Sequence, residues 1–83
     1  AYSILNGDYE VIEAEIIETS ELINKELKNS NLPDEIRIGA VLRNKKVIIP
    51  KSDFIFQNDD KIVLIVKKDT ISVMENLFRL SSV

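Results

Sequence analysis

Apolar and polar residues alternate along much of this chain, and the alternation divides it into short elements. After Glu10, the run Val11-Ile12-Glu13-Ala14-Glu15-Ile16-Ile17 puts Ile12, Ala14 and Ile16 on one face and Glu13 and Glu15 on the other. This predicts a half-buried strand with one wet face. Thr19-Ser20 then offers a hydroxyl cap, and Glu21 suits the positive start of a helix. Leu22, Ile23 and Leu27 form a narrow apolar stripe, Lys25 and Lys28 fall toward its C-terminal end, and Asn29-Ser30-Asn31 with Pro33 stops it. The spacing predicts a helix over 20–28. Next, Ile36, Ile38, Ala40 and Leu42 alternate with Arg37, Gly39, Val41 and Arg43. A break at Asn44-Lys45-Lys46 precedes Val47-Ile48-Ile49, so the two runs read as a hairpin with Asn44 at positive φ. Pro50 cannot donate to a ladder, which ends the second strand or leaves it at an edge.

Lys51-Ser52-Asp53 is a polar bend, and Phe54-Ile55-Phe56 is an apolar patch dipping into the core from a loop. Gln57-Asn58-Asp59-Asp60 is a turn. Ile62-Val63-Leu64-Ile65-Val66 has no alternation, which predicts a central strand buried on both faces. Asp69 or Thr70 caps a second predicted helix, in which Ile71, Met74, Leu77 and Phe78 recur at helical spacing through Arg79, flanked by Val73 and Leu80. Residues 1–9, with the turn signal Asn6-Gly7-Asp8, read as a connector from a missing N-terminal region. The opening at Ala1 without a methionine is read as that of a segment cut from a longer protein, an expectation only. Residues 10–80 form the domain and 81–83 a tail. The fold class is α+β: a two-layer β-α-β-β-β-α domain, mostly antiparallel sheet with helices packed on it.

Composition removes most chemistry. Eighty-three residues allow one small domain. With 45% hydrophobic and 30% charged residues it has the balance of a globular one. Without cysteine there is no disulfide scaffold, cysteine zinc site or thiol nucleophile. Without histidine the usual metal ligand and the usual general base are missing. Gly7 and Gly39 alone cannot build a phosphate loop. A net charge of -3 without a basic run argues against nucleic acid as a partner. The five-residue apolar run at 62–66 is far short of a bilayer span. The one catalytic candidate is the pair Glu13 and Glu15, whose side chains project together about 7 Å apart on a strand. A solvated strand face is the simpler account of it, and the chain is expected to be no enzyme. Charge is also segregated: residues 1–42 hold nine acids and three bases, whereas 43–83 hold five acids and eight bases. Two solvated faces account for this, or a dipolar domain whose ends attract in a symmetric assembly.

An ordered set of segments carries a resemblance to a known family. These are Glu10-Val11-Ile12-Glu13-Ala14-Glu15, Asn31-Leu32-Pro33, Ile36 to Arg43, Val47-Ile48-Ile49-Pro50, Gln57 to Leu64 and the closing Glu75-Asn76-Leu77-Phe78. Together they resemble the C-terminal regulatory domain of Trk-type potassium uptake regulators, the TrkA-C or RCK-C family, over about residues 10–80. The family has Gly-Asp before its last strand where this chain has Asp59-Asp60, a departure that touches the turn and not the fold. Asp60 is read as a turn-capping carboxylate.

The resemblance implies a non-catalytic, ligand-sensing and dimerising domain of a regulator subunit that controls monovalent cation transport. The same small domain also serves other transporters, such as antiporters and anion permeases, and that is the alternative. The implied partners are a second copy or higher homo-oligomer, a membrane potassium transporter subunit and a small nucleotide effector, which in some relatives is a cyclic dinucleotide held between two copies. The implied location is cytoplasmic, peripheral to the inner face of the membrane. No cofactor is implied in this domain; NAD, NADH or an adenine nucleotide belongs to a missing N-terminal dinucleotide-binding domain. The family's effector pocket corresponds to Ile36, Arg37, Ile38 and Pro50, among which Arg37 is the cation suited to a phosphate.

Overall fold

The computed structural model describes residues 2–80, with the backbone alone at Val73. The strands are β1 (Tyr2–Ile4), β2 (Tyr9–Ile16), β3 (Ile36–Arg43), β4 (Lys46–Ile48), β5 (Lys61–Lys67) and β6 (Phe78–Leu80), and a four-residue helix, α1 (Ile71–Met74), precedes the last of them. They form one sheet in the order β1-β2-β5-β3-β4, with every described pairing antiparallel. β6 joins from the side. It pairs with Ala14–Ile16 on the edge of β2 whose other end, Tyr9–Val11, pairs with β1. Residues 2–4, read from the sequence as connector, thus contribute an edge strand. The tail at 81–83 lies outside the described residues.

The wet-faced strand and the hairpin form where the alternation places them. Ile12, Ala14 and Ile16 of β2 are buried, as are Ile36 and Val41 of β3, Ile62, Leu64 and Val66 of β5 and Phe78 of β6. Leu22, Phe56 and Met74 close the core from the connecting segments. β5 is central, between β2 and β3, but only one of its faces is buried; Val63 and Ile65 are half-buried on the other. Neighbouring strands on both sides shade these two side chains, so they stay apolar without a covering layer.

The first predicted helix does not form, and the second forms for one turn only. Over 20–28 the chain makes successive turns and a 3-10 turn at Leu27–Asn29. Asn24 takes φ 67, a left-handed conformation that ends any helix. The amides of Asn24, Leu27 and Lys28 bond to the carbonyls of Phe56, Phe54 and Ser52 in place of intrahelical partners. Ser20 Oγ accepts the Leu22 N–H, and Leu22 is the buried anchor. The second predicted helix stops at Met74, and its last turn is pulled out as β6 by the unpaired edge of β2. Met74 and Phe78 are nonetheless both buried. The layer over the sheet is therefore mostly looped chain.

One facing assignment is also corrected. The β3–β5 register slips between Ile38 and Ala40, so Gly39 is the extra residue of a bulge. Beyond it the parity inverts: Val41 and Arg43 turn toward the core side, while Ala40 and Leu42 turn to the open face.

Candidate functional site

Ile36, Arg37 and Ile38 start β3 and form one side of a groove of about 420 Å³. Alternation buries Ile36 and exposes Arg37. Opposite stand Leu27, Lys28, Ser30 and Leu32 from the looped segment, and Ser52 closes one end. Pro50 does not line this groove. β4 pairs with the far end of β3, at Val41–Arg43, so the chain leaving it reaches the groove only at Ser52.

The groove combines Lys28 and two hydroxyls with an aliphatic floor, and Arg37, which alternation turns to the other face of β3, stands at its edge. Lys28 Nζ stands 3.6 Å from Glu26 Oε2, an exposed contact of little strength. Arg37 has no ion pair among the described residues. Ser30 Oγ donates to the Leu27 carbonyl at 2.7 Å, which leaves its lone pairs free to accept. Such a set is chemically suited to an anion that carries an apolar or aromatic body. Lys28, Ser30 and Ser52 were not legible as site residues, because only the tertiary bonds of the segments 24–28 and 52–56 bring them to β3.

At the far end of β3 from the groove lies a charged clasp. Asp60, 1% exposed, receives Arg43 Nε at 2.7 Å on Oδ1 and Arg43 Nη2 at 2.7 Å on Oδ2. Asp60 Oδ2 also accepts the Gln57 N–H at 2.9 Å, the turn cap that the sequence predicts. Asp59 takes φ 69, so an aspartate occupies the left-handed turn position where the resemblance leads one to expect glycine. Arg43 Nη2 further donates to the Ile55 carbonyl at 2.9 Å, and the guanidinium carbon lies 4.9 Å from the centre of the Phe54 ring. The hydrogen bonds to Asp60 raise the Arg43 guanidinium above its already high ordinary value, against the opposing effect of partial burial.

Glu13 and Glu15 lie on the open face, in a shallow groove of about 250 Å³ with Leu42, Lys61 and Val63. Glu15 sits opposite Lys61 on one side and Arg79 on the other, the setting of a solvated cross-strand charge row. Among the described residues no group of three or more acidic side chains is placed to hold a metal ion, and no helix is long and apolar enough to cross a membrane.

Known proteins share this sequence pattern. A Trk system potassium uptake protein TrkA from Azorhizobium caulinodans is 42% identical over 80 residues, covering 96% of this chain and 18% of the relative. A TrkA homolog from Archaeoglobus fulgidus is 31% identical over 64 residues, or 77% of this chain and 15% of the relative. A TrkA from Halomonas elongata is 30% identical over 82 residues, or 94% of this chain and 18% of the relative. The chain thus spans less than a fifth of the length of these relatives. The TrkA-C domain family model matches residues 11–79, from the second residue past the start of β2 to the middle of β6, and the chain belongs to the TrkA-C domain family.

Proposed function

We propose that this chain is a regulatory domain of a potassium uptake system, one that senses a small anionic effector and carries no chemistry of its own. Family membership supports the system, and the groove beside Arg37 supports the sensing. The effector is a small nucleotide: its phosphate meets Arg37 and Lys28, and its base or ribose lies against Leu27, Leu32 and Ile38. Pro50 contributes through a second copy or not at all, since it lies outside the groove of its own chain. Binding would favour one of two arrangements of the assembly, which is coupling by differential contacts. The transporter subunit that reads the change, the nucleotide bound elsewhere in a parent protein and a cytoplasmic position at the inner membrane face belong to the same proposal.

The domain acts as a homodimer. The stretch 36–52 holds five cations and no acid, and it carries the exposed Leu42, Val47 and Ile49. The first half of the chain supplies exposed acids, among them Glu13, Glu18 and Glu21. Hairpin against acidic half, made twice about a twofold axis, satisfies both.

Calorimetric titration with cyclic dinucleotides and adenine nucleotides tests the sensing role. Binding by the unaltered chain and its loss in Arg37→Ala is the expected result. Equal binding by both removes Arg37 from the site, and no binding by either refutes the effector reading.

A further inference from the structure

The wall of the effector groove is not part of the sheet. Leu27 and Lys28 hang from the segment 52–56: the Leu27 N–H donates to the Phe54 carbonyl at 2.8 Å and the Lys28 N–H to the Ser52 carbonyl at 2.9 Å. Asn24 N–H to the Phe56 carbonyl, at 2.9 Å, and Phe56 N–H to the Lys25 carbonyl, at 3.1 Å, complete the attachment. The segment 52–56 in turn has no place in the strand ladder; its one bridge, at Ile55, goes back to Glu26 in the wall. Two kinds of contact fix it to the sheet: apolar packing, in which the half-buried Phe54 also takes part, and a guanidinium. Phe56 is fully buried, which holds the segment down but gives it no direction. Arg43, at the end of β3, supplies direction: its fork is set by Asp60 at the start of β5, its outer nitrogen holds the Ile55 carbonyl, and its plane lies by Phe54.

We infer that Arg43, locked by Asp60, is a positioning residue for the effector groove, acting through residues 52–56 on the wall that carries Lys28. It touches no effector itself. A contiguous path therefore runs from the groove wall, through 52–56, to the turn end of the β3–β4 hairpin, beside the proposed dimer contact. The part of this inference that concerns ligand rests on the effector reading above; the mechanical part does not.

Amide hydrogen exchange on Arg43→Lys and Asp60→Asn separates the two. Both changes keep the fold's volume and break the fork. The expected result is an acceleration at Asn24, Leu27, Lys28 and Phe56 at least tenfold beyond that of the β2–β5 ladder, which speeds up only by the loss of global stability. A uniform acceleration that includes the ladder would mean the clasp stabilises the whole domain and positions nothing, and no acceleration at the four amides would refute the inference as well. Titration of a cyclic dinucleotide into the same variants is the second arm. A several-fold weaker affinity is expected in each, with Arg37 still present. If the unaltered chain binds no dinucleotide, the effector reading fails while the exchange result still decides the mechanical claim. If the variants bind as tightly as the unaltered chain, the wall does not need Arg43.

Discussion

Asp60 is a charge taken almost wholly out of water, and everything about its surroundings follows from that cost. A buried carboxylate must be paired and hydrogen-bonded. Here two guanidinium nitrogens and one amide do so. The partners are not equivalent, because the Arg43 side chain keeps 23% of its exposure while Asp60 keeps 1%. Arg43→Met strands the buried member and should cost about 3 kcal/mol. Asp60→Asn leaves an arginine that can reach water and an amide that still finds an acceptor, so about 1–2 kcal/mol is expected. Urea unfolding of both variants checks this, and equal costs would mean that burial does not govern the pair. Since the pair raises the arginine's pKa, the arginine's share of the stability is fully present below its unfolded-state value and is lost only in strong alkali. The sequence made one half of this legible: Gln57 to Asp60 reads as a turn with a capping carboxylate. The other half was hidden, because the partner lies 17 residues away and faces Asp60 only after the bulge at Gly39 has inverted its strand.

The β3–β4 hairpin follows from local chemistry, whereas the looped layer does not. Asn44 and Lys45 take φ 52 and 65, both left-handed, as a two-residue turn of the primed kind requires. Asparagine accepts this readily and lysine does not, so Lys45→Gly should stabilise the chain by about 0.5–1 kcal/mol, the relieved strain exceeding the added freedom of the unfolded glycine. A lower unfolding midpoint would show that Lys45 makes a compensating contact. Gly39 is different. It has no left-handed angle, and a Cβ there would meet the Val63 carbonyl oxygen at 3.4 Å, an ordinary contact. Gly39→Ala should therefore be neutral or stabilising by up to about 1 kcal/mol; a loss of several times that would mean the bulge tolerates only glycine. The strands could be read because period-two alternation is local. The helices at 20–28 and 71–79 were misread because their amides bond to distant partners, the carbonyls of 52–56 and the edge of β2, that helical spacing cannot reveal.

The whole molecule is lopsided: one face of the sheet holds the core and the other is open. Three strands of seven or eight residues, flanked by β4 on one edge and by β1 and β6 sharing the other, present a surface of about 24 by 24 Å, near 600 Å². A stable pair of proteins buries roughly 800 Å² on each partner, so this face supplies most of the required size and the contact must extend past its edges. The apolar part is concentrated at the hairpin, where Val47 and Ile49 are 71% and 70% exposed. Side chains that project this far contribute little to the fold of their own chain. Val47→Lys combined with Ile49→Lys should therefore leave the unfolding midpoint of the monomer nearly unchanged while abolishing self-association in sedimentation at high micromolar concentration. Salt separates the possible contacts further. A basic hairpin resting on the acidic half of a second copy loses attraction as the screening length shrinks from about 10 Å at 0.1 M to about 3 Å at 1 M, so association should weaken as salt rises. Two hairpins meeting face to face would repel, and salt would strengthen their contact instead. Association that grows with salt and survives the double variant would place the interface elsewhere on the open face and overturn the dipolar arrangement.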